Sequence, residues 1–340
     1  MPAIADPGRD AEHQSRDDDL HEVGALHGDR RQLVPALNGL YSYLLVGGRF
    51  AAASGPAERL LQAASANGDE LFEMIGLRAV GAVAFHVGEP LKARDHLERG
   101  LAMYDAERHA PLALVLGIDH RVMSSNFLGL TLWVLGEDAA ARDLLQRNLA
   151  WAEALDHGHS QAQALTFGAT LLTMLEDWQD AAAMAERGAA LSQRLGFPVL
   201  AAACDFFGAH ARARQGGDAA RAAGPMRQAA ERVWATGALN YRPLMELLLA
   251  RVHAAAGDSP AAGALLASAF ATVEQSGERW FEPELWRFRG ELWPAHRADD
   301  LRRARDLARH QRAGGLLRRA EATLAAHEAD SSAGALRPGG

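Results

Sequence analysis

Apolar residues recur along this chain at the spacing of helix faces. In the run after Asp119, the residues Met123, Phe127, Leu130 and Val134 fall at i, i+4, i+7 and i+11 on one face. In the next run Leu145, Leu149 and Ala152 do the same, while Arg142, Asp143, Gln146 and Glu153 face elsewhere. No stretch alternates apolar and polar residues with β-branched enrichment, so no sheet is predicted. Short turns break the helical runs at Gly48, Gly88, Gly136, Asp177, Gly217 and Gly257, in steps of 40, 48, 41, 40 and 40 residues. A second ladder, Gly158, Gly196, Gly237 and Gly277, advances by 38, 41 and 40. Two interleaved ladders imply two helices per repeat, each of roughly 15 to 19 residues. Glycine suits such places because helices commonly end on a residue with left-handed backbone.

Start signals agree with this division. Ser259-Pro260 reads as an N-cap followed by proline at the first helical position, Pro90 takes that first position after Gly88-Glu89, and Ser160 reads as the cap of the helix running to Leu175. Pro225 is expected to kink its helix or delay its start. Alanines near the turns within repeats (Ala84, Ala93, Ala139, Ala140, Ala181, Ala182 and Ala219) allow close helix packing. One amphipathic pair cannot bury its stripe alone, and stacked pairs can. The predicted fold is therefore all-α: a tetratricopeptide-like α-solenoid of about six or seven antiparallel helix pairs over residues 32–328. Residues 1–31 and 329–340 are polar or small and are expected to be disordered.

Composition narrows the function classes. The 340 residues carry a net charge of −8 and are 49% apolar, with a mean hydropathy of −0.15. That charge argues against a direct nucleic-acid binder. No window is apolar enough to cross a membrane, and no secretory leader is recognisable, so a cytoplasmic protein is expected. Cys204 is the only cysteine, which excludes an internal disulfide framework. Lys92 is the only lysine, and Ala93 follows it, so no phosphate-binding loop of the Walker type exists here.

Three stretches resemble a known family: AFHVGEP (84–90) with ARDHLERGL (93–101) and Tyr104-Asp105; LWVLG (132–136) with Asp119 upstream; and GERWFEPEL (277–285) continued by Arg287-Phe288-Arg289-Gly290-Glu291-Leu292. Over residues 33–293 the chain resembles the tetratricopeptide-like C-terminal repeat region of bacterial signal-transduction ATPases, some of which also carry a cyclase, kinase or DNA-binding domain. The resemblance implies a detached or truncated sensor module. The family's nucleotide-binding and cyclase parts have no counterpart in this sequence. After Trp293 the family's last helix pair is replaced by an arginine-rich stretch, expected to form a solvated capping helix.

Candidate chemistry is sparse. His157 and His159 flank a turn glycine without a third ligand and read as turn residues, so no metal site is predicted. Ser124-Ser125 lies within a helix and forms no nucleophile elbow. Cys204 sits in the apolar run AAACDFF and reads as a buried small hydrophobe. The aromatic cluster Trp280, Phe281, Trp286, Phe288 and Trp293 reads as core of the last well-formed repeat. The connection from Asp105 to Asp119 holds the extra residues of the 48-residue step, and it either binds a ligand or packs back on the body.

The expected function is non-enzymatic and cofactor-free. First helices line a concave groove for a protein or peptide segment, or a small effector. The expected groove and loop residues are His86, His109, Asp119, Arg121, Asn126 and Trp133. The alternative is a regulatory subunit acting in trans on a separately encoded ATPase, cyclase or transcription regulator, or a fragment of one.

Overall fold

The computed structural model describes residues 30–335, and the N-terminal segment expected to be disordered lies, up to residue 29, outside them. The described chain is helical and, among its described residues, contains no strand. The helices are α1 (Arg30–Val46), α2 (Phe50–Asn67), α3 (Glu70–His86), α4 (Pro90–Ala102), the short α5 (Ala106–His109) and α6 (Ala113–Leu116), α7 (His120–Leu135), α8 (Asp138–Ala154), α9 (Gly158–Met174), α10 (Trp178–Leu195), α11 (Pro198–Arg214), α12 (Ala219–Trp234), α13 (Arg242–Ala255), α14 (Ser259–Ser276), α15 (Glu282–Leu292), α16 (Arg297–His310) and α17 (Gly314–Ala335). Seven pairs, α1·α2, α3·α4, α7·α8, α9·α10, α11·α12, α13·α14 and α15·α16, are followed by the single α17. This is the expected α-solenoid. Its last helix runs to Ala335 and takes in part of the tail expected to be loose.

Two layers follow from two burial patterns. Second helices bury one stripe at i, i+4, i+7 and i+11, as Ala53, Ala57, Leu60 and Ala64 do on α2, and Ala262, Leu266, Ala269 and Val273 on α14. First helices pack on neighbouring first helices and are buried nearly all round. Every residue from Met74 to His86 of α3 is buried, as is every residue from Ser124 to Val134 of α7. A helix buried on all sides cannot wall an open groove, and the reason lies in how the superhelix closes.

Helix C-termini leave carbonyls without intrahelical partners. Here the next coil of the superhelix supplies donors. The Val46 carbonyl accepts from Leu239 N (2.8 Å) and Asn240 N (3.2 Å), and the His86 carbonyl from Arg279 N (2.8 Å) and Trp280 N (3.2 Å). The Gly136 carbonyl accepts from Arg318 Nη2 at 2.6 Å. Gly136 has a φ of +84°, a left-handed backbone that favours glycine, and the Arg318 guanidinium packs directly over its Cα. The first two junctions each join residues 193 apart, from Val46 to Leu239 and from His86 to Arg279. That is about five repeats per turn, and the later coil therefore seats on the earlier one.

Local details shift by a residue or two. Asp258, not Ser259, caps α14 and accepts from Ala261 N at 3.1 Å. Ser160 lies inside the first turn of α9, where its hydroxyl accepts from Asp119 N at 2.9 Å instead of capping its own helix. Pro225 neither delays nor ends α12, which starts at Ala219 and runs on to Trp234. The connection after Tyr104 folds into α5, a 3-10 turn and α6.

Candidate functional site

The coils meet around a cavity of about 380 Å³ on the inner side of the solenoid. Its walls come from α7, α9, α10, α11, α13, α15 and α17, so both halves of the chain build it. Aromatic surface is contributed by Trp133, Trp178, Phe281 and Phe288, and charge by Arg214, Arg251, Arg287, Arg319, Glu176, Glu284 and Glu291.

Glu284 organises the charges. It lies buried in the first turn of α15, and its two oxygens accept from three arginines. Oε1 takes Arg287 Nε (2.8 Å) and Arg319 Nε (3.3 Å); Oε2 takes Arg251 Nη2 (2.9 Å) and Arg287 Nη2 (2.8 Å). Burial alone would raise the carboxyl pKa, but Arg287, Arg319 and Arg251 outweigh it and hold the group well below the usual carboxylate range. Arg287 also donates to Glu291, and Arg319 Nη2 reaches Glu176 at 2.7 Å. Glu176, one residue before the ladder position expected at Asp177, has a φ of 59°, a left-handed backbone that is costly for a residue with a side chain. Arg319 lies in the arginine-rich stretch expected to be a solvated cap; Arg302, Arg309 and Arg318 are exposed, Arg318 while bonding the Gly136 carbonyl, whereas Arg319 is half-buried and reaches Glu176 and Glu284.

His210 of α11 completes the wall. It is buried against the edge of Trp178, and its Nδ1 has no hydrogen-bond partner among the described residues. Burial, reinforced by Arg251 and Arg214, lowers its pKa to about 3; burial with Arg78 and His109 does the same to His120. Both imidazoles are neutral in the folded chain and ordinary, near 6.5, in the unfolded one. The unfolded state then binds more protons, so stability falls as the pH drops from about 6.5 toward 3, by up to about 1.4 kcal/mol per pH unit for each histidine. Urea unfolding is expected to show a lower midpoint at pH 5.0 than at pH 7.5, with a shallower drop in His210→Gln.

The structure distributes the six expected residues widely. Trp133 lines the cavity, with Arg319 over its ring at 5.9 Å. His86 is fully buried where the coils meet, stacked on Phe50 (4.4 Å) and bonded through Nδ1 to Glu278 at 2.9 Å. Asp119 caps α7 by accepting from Val122 N, and it also accepts from the Tyr104 hydroxyl (2.5 Å) and Trp151 Nε1 (3.2 Å). His109 is buried below the same loop, where Nδ1 accepts from Asp105 N. The Asn126 amide oxygen accepts from the buried Asn148 at 2.8 Å. Arg121 stacks over Trp151 at 4.3 Å on the side of the Asp119 cap. Sequence reasoning missed Glu284, Arg251, Arg319 and His210. For the first a signal was present, since Glu284 stands inside GERWFEPEL (277–285), one of the three stretches that carry the resemblance.

Cys204 is buried, with its sulfur 3.3 Å from the Thr166 hydroxyl, and burial pushes the thiol up to about 11. It is no thiolate at neutral pH. Among the described residues no group of three His, Cys, Asp or Glu is placed to hold a metal ion, and no helix is long and apolar enough to cross a membrane.

No family model matches the sequence. A curated relative, "Uncharacterized protein R02095" of Rhizobium meliloti (strain 1021), is 27% identical over 253 residues. That match covers 72% of this chain and 24% of the relative, so the chain spans about a quarter of that protein's length. Among solved structures, the Rap protein complexed with competence and sporulation factor superposes with a TM-score of 0.58 at 16% identity, covering 92% of this chain and 80% of that one. A circular tandem repeat protein with novel repeat topology aligns over 93% of this chain and 86% of its own, at 14% identity and a TM-score of 0.25. The architecture is thus a tetratricopeptide-like helical repeat, as in the Rap protein.

Proposed function

We propose that this chain is a non-enzymatic interaction scaffold that receives a segment of a partner protein, or a small effector, in the cavity between its coils. The observation that carries the reading is the convergence of Trp133, Arg251, Glu284 and Arg319, from helices far apart in sequence, on one water-accessible chamber. Such mixed aromatic and charged concavities are the usual seats of specific ligands. The resemblance in fold to the Rap protein, whose solved complex holds a factor, supports a binding role for the helical repeats. Of the six residues expected from sequence, Trp133 serves in the wall, and Arg121 offers a second contact on the loop side.

A second reading is favoured by the relative of about four times the matched length: the repeats act as the sensing part of a larger bacterial signalling protein, such as an ATPase or cyclase, in cis or in trans. Inspection of the neighbouring reading frames for such a protein tests it directly. The scaffold reading needs no cofactor and places the chain in the cytoplasm.

The test uses the full chain as bait in lysate of its native host. Any captured partner is then titrated by calorimetry against Arg214→Glu, at the cavity, and Arg147→Glu, on the outer surface. Binding is expected to weaken at least tenfold with the first and to stay unchanged with the second. Equal effects from both would overturn the cavity as the seat.

A further inference from the structure

The connection between α4 and α7 departs from the repeat and leaves apolar surface outside the body. In its last helix, α6, Ala113 is buried and Leu116 packs against the core. Leu114 and Val115 are instead 80% and 81% exposed, more than any other large apolar side chain among the described residues. Single exposed apolar residues are ordinary, but two neighbours beside a hollow mark a contact surface. The hollow has a volume of about 540 Å³ and lies between this connection and the end of α8, with Pro111, Leu114, Trp151 and Leu155 on its apolar wall. It shares no residue with the chamber. Its parts are fixed in advance. Trp151 donates through Nε1 to Asp119 at 3.2 Å and carries the Arg121 guanidinium over its ring at 4.3 Å, and Asp105 caps α5 by accepting from Arg108 N at 3.1 Å. A surface held in place loses little conformational freedom when a partner docks.

We propose that residues 105–119 and the end of α8 form a second docking surface, apart from the chamber, and that its occupant is a basic amphipathic helix of a partner protein. The charge of the hollow selects the partner. Glu107 and Asp156 line it and are exposed, and their carboxylates make no hydrogen bond or ion pair with another described residue. The neighbouring cations are engaged elsewhere, Arg108 with Glu70 at 2.7 Å and Arg121 over Trp151. Burial lowers the pKa of His157 on the same wall, so this residue adds no positive charge at neutral pH. Two unpaired carboxylates beside an apolar wall match a segment with apolar side chains on one face and lysine or arginine next to them. No strand edge exists among the described residues to take up such a segment as a further strand. Side chains therefore carry the contact, as they do when an amphipathic helix lies in a groove.

The experiment titrates the full-length protein by calorimetry with a panel of peptides of about 18 residues, leucine on one helical face and lysine on the other. The same peptides with glutamate for lysine, or with a central proline, serve as comparisons. The lysine peptides are expected to bind at least tenfold tighter than either comparison and to gain helical circular dichroism when bound. Two double variants locate the contact: Leu114→Ser with Val115→Ser, and Glu107→Gln with Asp156→Asn. All four side chains are exposed, so both proteins should keep the wild-type melting curve, and each is expected to bind at least tenfold more weakly. Glu186→Gln with Glu231→Gln removes the same charge from exposed positions on α10 and α12 and is expected to change nothing. Equal losses from the two charge variants would reduce the effect to general attraction and overturn the site. Full binding by the Leu114→Ser, Val115→Ser protein overturns it too, as does a panel in which no lysine peptide binds. Binding without a gain of helix overturns the helical occupant in favour of an extended segment. A dimer of the free protein that Leu114→Ser with Val115→Ser abolishes, in sedimentation, would make a second copy of this chain the occupant instead. None of these outcomes touches the chamber, whose own test uses Arg214→Glu.

Discussion

Glu284→Ala is expected to lower stability by about 3–5 kcal/mol, the usual cost of removing one partner from a buried ion cluster. Three guanidinium groups now share the two oxygens of this carboxylate. Without it, Arg251 and Arg287, which are both largely buried, face each other and Arg319 with nothing between them. Glu284→Gln keeps the shape and one acceptor, so its loss should be smaller than that of the alanine variant. The pH dependence has a definite sign. The folded carboxyl lies below its ordinary value near 4.5, so its contribution is complete above that pH and is lost as the pH falls through and below it. Urea unfolding of the three proteins at neutral pH and at pH 4 checks both points. An alanine variant as stable as the wild type would show that the cluster is not held by this residue.

Trp280→Ala is expected to cost a similar 3–5 kcal/mol, for a different reason. Trp280 is among the largest fully buried side chains, and it lies on the seam between coils. Its ring meets Phe85 at 4.6 Å and Tyr241 at 6.0 Å, and its Nε1 donates to Glu278 at 3.1 Å. Glu278 in turn accepts from Tyr241 N and bonds His86, so one indole is keyed to residues nearly 200 positions away. Because solenoid stability is a sum of neighbour terms, losing the seam should uncouple the coils before it unfolds the repeats. Small-angle scattering is expected to show a larger radius of gyration for Trp280→Ala while helix content by circular dichroism is kept. An unchanged radius with cooperative unfolding at a lower midpoint would place the lost energy inside a repeat and not across the seam.

Much of the architecture was legible because it is local. Gly48, Gly88, Gly136 and Gly257 terminate helices, and the i, i+4, i+7, i+11 stripes on α2, α8 and α14 state which face is buried. Periodicity names the buried face and not its partner. Trp280 and Phe281 were legible as core, but their contacts with Phe85 and Trp133 were not, since those depend on the pitch of the superhelix. The concave groove expected along the first helices is narrowed to a chamber of about 380 Å³ for the same reason: the second coil lies against it. Arg319 looked like a solvated residue in an arginine-rich run, and only the return of α17 to the end of α7 brings it to Glu176. His86 and Asp119 were expected in the groove or its loop. The structure gives them structural partners, Glu278 and the start of α7.

The carbonyls of Val46 and His86 bear on how the protein is made. Their donors at Leu239 and Arg279 are synthesised 193 residues later. At about 5–20 residues per second a ribosome takes roughly 10–40 s to deliver them. During that interval the early repeats stand with an apolar inner wall and no coil to lie against it, so the nascent chain depends on whatever shields that wall until its own second half arrives.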